Sequence, residues 1–272
     1  MNPKSIINLF SILVLLFSFS FVFPIVISIV FDDGALPIFL KTLISISLLG
    51  LAGLFLTRNI KNDLSQKDGF VIIVMFWIVL SLTGSVPFYL SGMSLIDSVF
   101  ESMSGITTTG ATVISSLDGL PESILFYRQL LQWMGGMGLI VLAIAVMPLL
   151  GIGGGQIYKT EVPGAMGEQR LTPRIKETAQ ALWLIYFGLT AICGILYYLN
   201  GMTAFDAISH AMSTVAIGGF STHDESIGFF NSISIELICI CFMLLSAFSF
   251  ALHYFAIYKR KPLKYAFDPE FR

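Results

Sequence analysis

The stretch ESMSGITTTGATV, residues 101–113, breaks the pattern of the chain around it. Thr107, Thr108, Thr109 and Thr112 crowd about a single glycine, Gly110, and an acidic residue, Glu101, stands just upstream. Long apolar runs flank it on both sides. A polar, glycine-broken segment in such surroundings needs a reason.

The surroundings are those of a membrane protein. Of the 272 residues, 56% are hydrophobic and only 12% charged, about half the charged share of a soluble domain. Mean hydropathy is +0.85. About twenty apolar residues span a bilayer, and six runs qualify: Ser5–Phe31, Leu36–Thr57, Gly69–Leu90, Gln129–Leu150, Ala179–Leu199 and Ile233–Ile257. The first is too long for a secretory signal and has no small-residue cleavage site after it; a kink is expected at Pro24. Thirteen of the fifteen Lys and Arg residues fall in the N-terminus, two connections and the tail, leaving only Lys41 and Arg128 on the other face. This asymmetry places both termini in the cytoplasm. Cys193, Cys239 and Cys241 lie within spans and lack zinc-ligand spacing, so neither a disulfide nor a metal cluster is expected.

Two further apolar segments, Ser94–Ile106 and Thr203–Ser213, are too short to cross. Each follows a span and ends in a polar or glycine-rich run, the pattern of a re-entrant hairpin. Shifting the sequence by 109 residues lays YLSGMSLIDSVFESMSGITTTGAT (89–112) on YLNGMTAFDAISHAMSTVAIGGFS (198–221) without a gap. Asp97 meets Asp206, Ser104 meets Ser213, and Gly110 meets Gly219. The unit is an outer helix, a pore helix, an extended filter strand and an inner helix, occurring twice in parallel.

The polar stretch then has a use. A potassium ion entering a membrane must exchange its water shell for other oxygens, and rings of backbone carbonyls supply them. Glycine permits the backbone conformations this requires. The C-terminal end of a short helix aimed at the same point carries partial negative charge. Asp97, Glu101 and Asp206 either concentrate cations or, for the aspartates, cap the helix N-termini. His210, in the place of Glu101, is expected to face outer water. A hydrolase built on Ser221 with His223, or Ser209 with His210, is a remote alternative, since neither pair has a sequence signal for an oxyanion site. GIGGGQ (151–156) lacks the strand context of a nucleotide-binding loop, and GGMG (135–138) suits close helix packing.

These residues carry a family resemblance. FESMSGITTTGATV, RQLLQWMGGMGLIVLAIAVMPLLGIGGGQ, RIKETAQALWLIYFGLT, FDAISHAMSTVAIGGFSTHDESIGFF and the tail DPEFR resemble the TrkH family, the membrane subunits of bacterial Trk potassium uptake systems in the Trk/Ktr/HKT superfamily. The resemblance implies an all-α polytopic membrane protein of the potassium-channel-like kind. It implies two leading transmembrane helices (1–68), a first pore repeat (69–150), a cytoplasmic linker (151–178), a second pore repeat (179–257) and a cytoplasmic tail or linker (258–272). It puts ion-facing positions at Thr108, Thr109, Gly110 and Ala111, and at Ile217, Gly218, Gly219 and Phe220. It further implies the bacterial inner membrane, potassium as substrate with no covalent cofactor, a homodimer, a cytosolic nucleotide-binding regulatory subunit of TrkA type, surrounding lipid and no nucleic-acid partner. The family has four repeats and this chain has two. The expectation is therefore an N-terminal half, with a non-conducting fragment or assembly subunit as the alternative and a self-pairing half-transporter behind it.

Overall fold

The computed structural model describes residues 3–58, 66–138, 175–248 and 250–257. In hydrocarbon, a backbone must satisfy its own hydrogen bonds, so charge-free runs become helices. Among the described residues, four helices are long and apolar enough to cross a membrane: Pro3–Phe31, Leu36–Leu56, Val71–Leu90 and Gln180–Leu199. The expected span at 129–150 and the loop at 151–156 lie largely or wholly outside the described residues, as does the tail.

The leading hairpin pairs α1 (Pro3–Ser18) and α2 (Val22–Phe31) with α3 (Leu36–Leu56). The irregularity expected at Pro24 takes the form of a 3-10 turn, Phe19–Phe21. That turn contains Ser20, whose carbonyl a proline at position 24 leaves without its usual donor. Small residues let the helices approach: a Cβ at Gly53 would fall on the Ser11 side chain. Asn8 Nδ2 donates to Thr57 Oγ1 at 2.8 Å, closing the far end.

Each repeat then begins with an outer helix. In the first, α4 (Gln66–Gly84) continues through α5 (Val86–Leu90), followed by the short α6 (Leu95–Ile106) and the inner helix α7 (Glu122–Gly136). In the second, α8 (Ile175–Leu199) leads to the short α9 (Ala204–Ala216) and to α10 (Ile233–Ala247). The sixth span does not run unbroken to Ile257. Phe248 turns extended (ψ 148°), and a separate helix, α11 (Phe250–Ile257), packs back on α8 through Phe250 and Tyr254. With 15 residues, α10 is roughly 22 Å long, short of the bilayer core.

Helix α7 is the hub, packing against α2, α6 and α9. Tyr127 is fully buried within 5.4–5.7 Å of the rings of Phe21, Phe39 and Phe88, and its hydroxyl donates to the Gly84 carbonyl at 2.8 Å. The N-terminus of α7 has no cap of its own, because Pro121 lacks a side-chain acceptor. Asp33, from the turn between α2 and α3, supplies it: Oδ2 accepts from the Ser123 amide at 2.8 Å, while Oδ1 accepts from the Ala35 amide and the Ser28 hydroxyl. Burial works against the ionised form, but these hydrogen bonds outweigh it and hold the Asp33 carboxyl below its ordinary value of 3.8. A carboxyl lowered in this way stabilises the fold above its unfolded value and loses that contribution as pH falls through the folded value. Asp33→Ala is therefore expected to cost about 1 kcal/mol at neutral pH, as for other helix caps. In detergent this reads as a thermal midpoint lower by roughly 2–4 °C at pH 7, with a gap that narrows below pH 3.8. An unchanged midpoint at pH 7 would contradict the trans cap.

Candidate functional site: two facing filter strands

The two short helices start alike. Ser94 Oγ accepts from the Asp97 amide and donates to its carboxylate at 2.7 Å; Thr203 Oγ1 does the same with Asp206, also at 2.7 Å. The caps are therefore Ser94 and Thr203; the aspartates, expected either to cap these helices or to concentrate cations, instead stand in the first turn and hold the capping hydroxyls. The 109-residue offset continues hydrogen bond by hydrogen bond. The Thr108 amide reaches the Gly105 carbonyl as Ile217 reaches Thr214, and Thr109 reaches Ser104 as Gly218 reaches Ser213.

Past the helix ends, the strands share a backbone signature. Thr108 (φ 55°) and Gly110 (φ 77°) are left-handed, and so are their counterparts Ile217 (φ 54°) and Gly219 (φ 84°). Thr109, Ala111, Gly218 and Phe220 are not. This alternation reorients successive peptide units, as an ordinary β-strand does not. A β-branched residue such as Ile217 in this region stores about 1–3 kcal/mol of strain, which persists only where the surroundings enforce it.

The strands approach closely at Gly110 and Gly218. A Cβ on Gly110 would fall on the carbonyl oxygen of Gly218, whereas a Cβ on Gly219 would meet nothing within 4 Å. Of the eight expected ion-facing residues, Thr109, Ala111, Ile217 and Gly219 are exposed, and Thr108 and Gly110 are half-buried. Gly218 is buried against the Gln132 side chain. Phe220 departs most from an ion-facing position. Its ring is buried, and its amide donates to Gln132 Oε1 at 3.1 Å.

Behind the strands lies what the sequence did not reveal. Glu101 and Arg128 are both 0% exposed and pair through Arg128 Nε and Glu101 Oε1 at 2.8 Å. Glu101 also accepts from Thr112 Oγ1 at 3.0 Å and from the Val113 amide at 3.2 Å. Arg128, expected at the outer rim of its span, is instead sealed inside, where an unpaired charge would cost several kcal/mol. Gln132, one turn along α7, accepts from Ser213 Oγ at 2.8 Å. Gly135 of the GGMG run lies so close to the Ile106 backbone that a Cβ would overlap it, and a Cβ on Gly136 would crowd the Tyr186 hydroxyl and come within 3.2 Å of Ala216. The inner helix thus presses on the ends of both short helices, as the small residues suggested. Above, Asp224 accepts from the Leu117 amide and Ser116 hydroxyl, joining the loops after the two strands.

His210 does not face outer water. It is buried, with Nε2 2.9 Å from Ser221 Oγ and Nδ1 2.9 Å from the Asp206 carbonyl. The serine–histidine contact that forms is therefore neither of the two adjacent pairs. It also lacks a carboxylate behind the ring, because Asp206 is engaged by Thr203, Thr222 and His223. Ser221 is braced in the strand rather than presented as a nucleophile.

Against this geometry, comparison with known proteins is decisive: the family model described as TrkH, cation transport protein, matches residues 35–272. The chain belongs to the TrkH family. The Trk system potassium uptake protein TrkH of Halomonas elongata is 50% identical over 275 residues, taking in 100% of this chain and 57% of the relative. That of Escherichia coli K12 is 45% identical over the same length. The crystal structure of the potassium transporter TrkH from Vibrio parahaemolyticus matches with a TM-score of 0.86 at 48% identity, covering 100% of this chain and 56% of that one. The chain thus spans a little over half the length of these relatives. TrkH-family proteins are multi-pass membrane transport proteins and not enzymes, which removes the hydrolase reading.

The strand contact gives a direct test. Gly219→Ala is expected to cost about 1–2 kcal/mol through its left-handed backbone alone. Gly110→Ala is expected to cost about 1–3 kcal/mol more, because the neighbouring backbone must move. Thermal midpoints of the purified chains measure this, and equal shifts would contradict the close approach.

Proposed function

We propose that this chain forms two walls of a potassium uptake pathway, with Thr108–Ala111 and Ile217–Phe220 offering backbone oxygens to the ion. One observation carries the reading: the left-handed positions at Thr108 and Gly110 recur at Ile217 and Gly219, on two strands in contact at the ends of two short helices. Strained backbone held in duplicate suits carbonyl coordination. The helix ends add partial negative charge where a cation would sit. Phe220 takes part through its main chain, its ring being turned into the protein. The names of the relatives, potassium uptake proteins of Trk systems, give the same substrate.

The segments 69–150 and 179–257 act as two pore repeats behind the leading hairpin (1–68), joined by a cytoplasmic linker (151–178) and ending in a cytoplasmic tail (258–272). The setting is the bacterial inner membrane with both termini cytoplasmic, supported by the thirteen basic residues on one face. The partners are a second copy of the subunit and a cytosolic nucleotide-binding subunit of TrkA type.

The chain can be tested by co-producing it with a polypeptide covering the part of the Vibrio parahaemolyticus relative that it does not match. The resulting assembly, in vesicles, is expected to take up rubidium in competition with potassium. Gly110→Ser should lower the preference for potassium over sodium about tenfold, a free-energy change of about 1.4 kcal/mol. A well-folded assembly without uptake would favour a non-conducting role.

A further inference from the structure

The repeat breaks at the buried ion pair, and the break is informative. At the position matching Glu101 the second repeat has His210, and at the position matching Arg128 it has Leu237. The second repeat therefore has no guanidinium of its own behind its strand. It borrows one. Arg128 Nη2 donates to Thr112 Oγ1 of the first strand at 3.3 Å, and Nη1 donates to the Ser221 carbonyl of the second at 3.1 Å. Thr112 and Ser221 are themselves 109 residues apart, so one side chain holds the same place on both strands. The guanidinium carbon also lies 4.2 Å from the centroid of the Phe220 ring, and Nε fixes the group to Glu101. His210 completes the second strand by bonding Ser221 Oγ, as Glu101 bonds Thr112.

We propose that Arg128 is a positioning residue for ion selectivity, a tie that sets the two filter strands at a common height. This rests on the functional reading above. The argument is geometric. A rigid planar fork serves three acceptors and one ring face at once, whereas an ammonium on a flexible stem serves as a point charge. Carbonyl coordination discriminates between ions through the placement of its oxygens. A tie between Thr112 and Ser221 therefore fixes the spacing on which discrimination depends, without touching the ion.

Two variants separate this role from simple charge neutralisation. Arg128→Lys keeps a cation beside Glu101 but not the fork. Glu101→Leu with Arg128→Leu removes both charges and leaves no unpaired ion buried, a replacement that folds tolerate well. Each is made in the full chain and co-produced with the complementary polypeptide described above. Membrane abundance, rubidium uptake and thermal stabilisation by potassium and by sodium are then measured. Abundance is expected to stay near that of the unsubstituted assembly. The preference for potassium over sodium should fall about tenfold in both variants, on the order of one charge-assisted hydrogen bond. Preference within twofold of the unsubstituted assembly in either variant overturns the proposal and leaves Arg128 a partner for the Glu101 charge. If the unsubstituted assembly shows neither uptake nor stabilisation by any cation, the functional reading itself falls, and this inference with it.

Discussion

A backbone that offers its carbonyls to an ion cannot also spend them on a neighbouring strand. At membrane depth it must be held by something else. Under the proposed function, that constraint accounts for how the described part of the chain is organised. Capped short helices aim their C-terminal ends at one region, the strands leave them through left-handed residues, and α7 presses from behind. The polar groups that do the holding are almost all on the side away from the exposed strand faces: Glu101, Arg128, Gln132, Ser213 and His210. Small residues make the approach close enough, at Gly135 against Ile106 and at Gly110 against Gly218.

Much of this was legible in the sequence because it is local or repeated. The short helices follow from length, and the left-handed glycines from their equal places in two copies; a cap at each short helix was also legible, though Ser94 and Thr203 supply it and not the aspartates, and the left-handed turn at Thr108 and Ile217 was not. Nor was the pairing of Glu101 with Arg128. Periodicity tells which residues share a face of one helix, but these two stand 27 residues apart on different elements, and a charge near the end of an apolar run looks like an interfacial anchor. His210 misled for a related reason, since a polar residue on a short outer helix looks solvated until the partner that buries it, Ser221, is placed. The trans cap from Asp33 and the break at Phe248 depend likewise on tertiary neighbours.

The two repeats are alike in backbone and unlike in bracing. The first strand is held by a carboxylate–guanidinium pair, while the second relies on a histidine, a glutamine and the first repeat's arginine. Gly110 is locked against its neighbour, but Gly219 faces open space. The repeats therefore share one backbone course at the positions proposed to face the ion, with support distributed between them rather than duplicated.

The most direct measurement is crystallographic. Crystals of the co-produced assembly, soaked in rubidium and measured at its absorption edge, should show anomalous density beside both strands, within coordination distance of backbone oxygens at Thr109–Gly110 and Gly218–Gly219. Density bound by side chains elsewhere, or none at the strands in crystals that hold rubidium at another site, would contradict the account.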